Sequence, residues 1–160
     1  MGKYAENTTV SSGESRIEIE NTLTRYGASG FMYGWQDNRA IIVFTMQGKQ
    51  VKFLLHMPDQ NDREFTHTPS RGTLRSDDQR AAEYEKAVRQ RWRALALVIK
   101  AKLEAVESGI TIFENEFLAH IVLPNGQTTG DYVLPQIEEA YSKGRMPDML
   151  PMLMSGEQHD

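Results

Sequence analysis

The chain has 160 residues, 39% apolar and 25% charged, which suits one domain with a core and is too apolar for a disordered chain. Eighteen Lys and Arg stand against 22 Asp and Glu, a formal charge of -4 that excludes a histone-like or ribosomal-type polycation but leaves room for a local basic face. No cysteine occurs, so disulfides, CxxC redox chemistry, thiolate zinc sites and cysteine nucleophiles are excluded.

Residues 1–12 are polar and read as a disordered arm, without the charged-then-apolar order of a signal peptide. The longest apolar run, Ala94 to Ile99, falls far short of the roughly 20 residues that a membrane span needs. These features together predict a cytoplasmic protein that does not engage a membrane. The expected organisation is a single α+β domain over 13–150 and a flexible tail over 151–160.

Ser15-x-x-Glu18 has the form of a capping box, in which hydroxyl and carboxylate each satisfy an orphan backbone N–H. Ile19, Leu23 and Tyr26 then recur at helical spacing, and Gly27 is placed for a left-handed cap. Three strand-like runs follow. Phe31, Tyr33 and Trp35 alternate with Met32 and Gly34, Gln36 to Arg39 form a polar turn, and Ala40 to Met46 are strongly β-prone. Gln47-Gly48-Lys49 turns the chain into Val51, Phe53 and Leu55. The runs are too close for crossover helices, so they predict an antiparallel meander with Ile42, Phe44 and Met46 facing the core. Whether the first strand's aromatics share that face is left open by the pattern.

Pro58 ends the sheet, and Asp59 to Arg75 read as a long irregular loop anchored by Phe65 and Leu74. Ser76-Asp77-Asp78-Gln79 is a second capping box opening a helix from about Asp77 to Glu107. Trp92, Leu95, Ala96, Ile99, Leu103 and Val106 give its apolar stripe, and Ser108-Gly109 stop it. Ile110 to His120 allow a further helix, Asn125-Gly126 a turn, and Asp131 to Lys143 a final helix ending at Gly144. Met146, Met149, Met152 and Met154 stand among prolines in the tail. Methionine adapts to irregular surfaces, so this tail and Ile112 to Leu123 fit either a homo-oligomeric or other protein contact or the chain's own core.

Lys86, Arg89, Arg93 and Lys100 lie at helical spacing on one flank of the long helix. With Lys52 they are candidates to neutralise phosphates, and Tyr33 and Trp35 are candidate stacking platforms for bases. The competing reading has the cationic stems covering apolar surface, their charges met by Glu83, Glu85 and Glu104. The helix–sheet–helix order also looks like a double-stranded-RNA-binding domain, but Ser76, Asp77 and Asp78 stand where that family starts its second helix with lysines. It also looks like a PD-(D/E)xK nuclease core, with Gln50-Val51-Lys52 as the triplet and Asp37 and Glu20 as further acids for a divalent metal. Asp59, Asp62, Glu64 and His67 form a second possible oxygen-and-imidazole metal cluster, read against a merely solvated loop. His56 and His120 sit among apolar neighbours, as hydrogen-bonded structural histidines do. No GxGxxG, GxxxxGK[ST], GxSxG or HExxH occurs, which favours a non-enzymatic protein without a cofactor.

Arg89 to Gly109, Arg25-Tyr26-Gly27, Glu64 to Pro69 and Phe117 to Gly126 together resemble a family of small tailed-bacteriophage and prophage proteins that carry no assigned activity. The resemblance covers roughly residues 10–150. It implies a phage context among genes for DNA replication, recombination or host takeover. The expected function is therefore a phage nucleic-acid-binding accessory protein. A protein-binding module that inhibits a host defence or polymerase component is the alternative, and a metal-dependent nuclease the lesser one.

Overall fold

A computed structural model describes residues 13–146. The expected arm over 1–12, the tail over 151–160, and Met149, Met152 and Met154 lie outside the described residues. The architecture is α+β: one three-stranded antiparallel sheet packed by helices, in the order helix, three strands, helices. Among the described residues, no helix is long and apolar enough to cross a membrane.

Helix α1 (Gly13–Arg25) is already helical at Gly13, so Ser15 lies inside its first turns and does not open it as expected. Its predicted stripe is real: Ile19 and Leu23 are buried and Tyr26 is half-buried. Gly27 reaches φ +92°, and the amides of Gly27 and Ala28 donate to Thr24 (3.1 Å) and Leu23 (3.0 Å) to close the helix. Only a residue tolerant of positive φ ends a helix this way.

Strands β1 (Ser29–Gln36), β2 (Arg39–Met46) and β3 (Lys49–His56) form the meander, ordered β1-β2-β3. On β2, Ala40, Ile42, Phe44 and Met46 are buried while the residues between them are half-buried. Trp35 pairs with Ala40 and Tyr33 with Ile42, so the first strand's aromatics do share the core face. A bulge between Ser29 and Met32 shifts the register. Gln36 pairs with Arg39 and Met46 with Lys49 across two-residue turns, which sets the alternation of the ladder. Odd residues of β2 therefore bond β1, and even ones bond β3. This leaves the backbone groups of Tyr33 and Trp35, and of Gln50, Lys52 and His56, directed outward.

The two edges differ. On β3 the amide of Val122 donates to Gln50 O (2.9 Å), Arg91 Nη1 donates to His56 O (3.1 Å), and the His120 ring bonds the Lys52 backbone. No described residue closes β1 in the same way.

The segment after Pro58 is more ordered than its composition suggests. Helix α2 (Arg63–Thr66) sets the ring of buried Phe65 against Tyr84, with centroids 5.4 Å apart. Backbone bonds from Thr68 to Thr73 O (2.8 Å), Gly72 to Thr68 O (3.0 Å) and Arg75 to Thr66 O (2.8 Å) fold the remainder on itself. Leu74, expected as an anchor, is 71% exposed, because these polar bonds rather than apolar burial hold the turn.

Helix α3 (Asp77–Glu107) runs the predicted length. Both arms of its capping box form: Gln79 N donates to Ser76 Oγ (3.3 Å) and Ser76 N to Gln79 Oε1 (3.1 Å). Trp92, Leu95, Ala96, Ile99 and Leu103 are buried, and Val106 packs half-buried beside them.

The further helix over Ile110 to His120 is a correction: only α4 (Phe113–Glu116) and a 3-10 turn (Leu118–His120) form. The backbone is extended at Ile112, and the β-branched Ile110-Thr111-Ile112 run disfavours a helical start. Phe113 and Phe117 are buried, whereas Ile112 and Leu118 are exposed. Phe117 meets Phe44 and Phe53 edge-on, each at 6.3 Å, which pins this segment to the sheet. Helix α5 (Thr129–Lys143) begins two residues before the expected Asp131, capped by the Thr128 hydroxyl accepting from Asp131 N (3.1 Å), and ends at left-handed Gly144.

Candidate nucleic-acid interface

A long helix laid on a sheet presents one flank to solvent along its whole length. On α3 the residues at i, i+3, i+7 and i+14 from Lys86 are Arg89, Arg93 and Lys100, so all four cations share one flank while Trp92 and Ile99 face inward. At about 1.5 Å per residue the row is about 21 Å long. All four side chains are exposed, and among the described residues none makes an ion pair or hydrogen bond. The carboxylates that might have neutralised them are occupied elsewhere or stand apart. Glu83 pairs with Arg75 at 4.0 Å, Glu104 accepts from the Tyr26 hydroxyl at 2.6 Å, and Glu85 makes no ion pair.

Three further cations of the helix are engaged within the fold, Arg80 by Asp77 at 3.8 Å. Arg91 caps the His56 carbonyl, and Lys102 pairs with Glu116 at 3.2 Å while standing 5.9 Å over the Phe117 ring. The helix thus divides its basic residues between a structural flank and an unpaired one.

Lys52 and Tyr33, also expected here, do not join the row. Lys52 pairs opposite Val43, so its side chain leaves the face of the sheet away from α3. Tyr33 is half-buried with its hydroxyl donating to Arg16 O at 3.2 Å, and the Arg16 guanidinium lies 4.6 Å above its ring. Burial, and secondarily the charge of Glu20, pushes its hydroxyl up to about 12. A ring covered in this way offers no free face for a base. Trp35, 38% exposed on the same side of β1, keeps an accessible ring. Arg16 is the residue that sequence reasoning missed, because a contact between α1 and β1 leaves no local mark in either segment.

The metal-based alternatives are not assembled. Asp37 lies in the β1–β2 turn and pairs with Arg39 at 3.5 Å, at the end of the sheet opposite Gln50. Glu20 sits on α1, across the core from Lys52. In the loop, Asp59 accepts from Asn61 N (2.8 Å) and His67 Nδ1 bonds the Thr66 hydroxyl (2.7 Å). Among the described residues, no three His, Asp or Glu side chains are grouped to hold a metal ion.

His120 is half-buried and hydrogen-bonded to the Lys52 backbone. Its ring stacks on Phe53 with centroids 4.0 Å apart, and burial, with the nearby Lys102 charge, lowers its pKa. His56 is exposed, and its carbonyl serves the edge of β3.

A groove of about 360 Å³ runs between the 3-10 turn and α5, lined by Leu118, Ala119, His120, Val133, Leu134 and Ile137. None of the α5 side chains is fully buried, and Leu134, Ile137 and Tyr141 are exposed.

No family model matches the chain, and neither do any curated proteins or solved structures.

Proposed function

We propose that the protein binds nucleic acid through the Lys86, Arg89, Arg93 and Lys100 flank of α3, as a non-enzymatic phage accessory protein in DNA replication or recombination. The observation that carries this reading is the pairing state of the row: four exposed cations in line, none satisfied by a carboxylate among the described residues. Unpaired surface cations in a molecule of net negative charge are a local concentration of positive potential, and a polyanion is the partner that it suits. The row is bracketed by Asp77 and Asp78 at the start of the helix and by Glu104 and Glu107 at its end, so the positive stretch is confined to the middle of α3.

The test is a gel-retardation series with the doubly charge-reversed Arg89→Glu/Arg93→Glu protein. Both side chains are exposed, so circular dichroism should be unchanged. Retardation by the parent protein and its loss in the variant are expected; equal retardation by both would refute the proposal.

A protein-binding role, as an inhibitor of a host defence or polymerase component, is favoured by one different feature, the exposed apolar side chains of α5. It predicts a stoichiometric complex whose formation is insensitive to the arginine reversals and lost in Ile137→Asp.

A further inference from the structure

We infer that the α3 row selects duplex DNA over single-stranded DNA and reads its phosphate backbone without reading its bases; this rests on the nucleic-acid reading above. Proteins that hold single strands combine cations with aromatic rings on which successive bases stack, and those rings supply about 1–3 kcal/mol per base. No aromatic side chain of α3 itself supplies that second component. Both aromatic side chains of α3, Tyr84 and Trp92, are buried, and between Arg93 and Lys100 the exposed residue of the flank is Leu97. Tyr33, the central ring of β1, is capped by Arg16 and anchored by its hydroxyl. The exposed rings among the described residues, Trp35, Tyr132 and Tyr141, stand on β1 and α5.

What the row offers is rigidity and linearity. An α-helix held by a buried stripe from Tyr84 to Leu103 cannot bend around a flexible strand, whereas a duplex presents its phosphates already ordered. About 21 Å of helix spans about six base pairs at about 3.4 Å per pair, and the acidic brackets stop the contact from running further. Gln90 is the one amide beside the cations, and the helix that carries it is held against the domain's own core rather than projecting into a groove. Sequence-indifferent binding follows.

The experiment is fluorescence anisotropy on three labelled probes: a short duplex of mixed sequence, one of its strands alone, and a duplex of scrambled sequence. The duplex should bind at least about tenfold more tightly than the strand, and the scrambled duplex should bind within about twofold of the first. A strand that binds as tightly as the duplex, or a tenfold change on scrambling, overturns the inference while leaving nucleic-acid binding standing. Failure of all three probes overturns the nucleic-acid reading itself, and the inference with it.

Discussion

The imidazole of His120 lies nearly flat on the ring of Phe53, with centroids 4.0 Å apart and planes 19° from parallel. This contact joins the 3-10 turn to β3 and brings the imidazole within bonding reach of the Lys52 backbone. Burial is the main reason that its pKa falls below the ordinary 6.5, and the Lys102 charge adds to it. A depressed folded-state pKa means that the unfolded chain takes up the proton first. The stabilising contribution is therefore complete above about pH 6.5 and lost as pH falls through the folded value. Thermal melts across this acid range should show a decline in the parent protein that is smaller in His120→Gln. An identical decline in both would remove His120 from the account.

Phe117 touches Phe44, Phe53 and Phe113 and is wholly buried. Phe117→Ala should cost about 3–5 kcal/mol, the usual range for an aromatic ring deleted from a core. Chemical denaturation measures this directly. A cost below about 1 kcal/mol would mean that the segment after α3 is not anchored at this point.

Ser76 closes the N-terminus of α3 through both arms of its capping box. Ser76→Ala should cost about 1 kcal/mol, and Ser76→Gly only a few tenths. Equal costs for the two variants would contradict a side-chain cap.

The open edge of β1 gives a prediction at single-residue resolution. The amides of Tyr33 and Trp35 point away from β2 and should exchange with solvent faster than those of Met32 and Gly34, which pair inward. The Val122 amide, bonded to Gln50 O, should be protected although it lies outside any strand. Hydrogen exchange read by NMR distinguishes the two edges, and equal protection at Tyr33 and Gly34 would show that something covers β1.

The parts of this fold written in local pattern were legible beforehand. Both ends of α3, the two tight turns of the meander and the core face of β2 follow from the Ser76–Gln79 box and Ser108-Gly109, from Gln36 to Arg39 and Gly48, and from the Ile42–Phe44–Met46 alternation. Segments whose structure depends on distant partners were not. Phe113 and Phe117 have helical spacing, yet the chain between Ile110 and His120 forms barely a turn, because Ile121 and Val122 are drawn out to bond β3. Residues 59–75 look irregular because their order comes from backbone bonds such as Arg75 to Thr66, which need no apolar side chain.

The candidate site divides along the same line. The helical spacing of Lys86, Arg89, Arg93 and Lys100 puts the four on one flank of α3. Lys52 was separated from them by the parity of its strand position, and Tyr33 by an arginine from another element. The spacing also could not separate the free cations from Arg91 and Lys102, which the fold uses for itself.

The central claim is that a single row of unpaired cations meets phosphates, and its most direct test is the salt dependence of duplex binding. Four phosphate contacts predict that log K falls against log salt with a slope of about -3.6, reduced to about -1.8 when Arg89 and Arg93 are both replaced by alanine. A slope near zero, or one unchanged by the two substitutions, would contradict it.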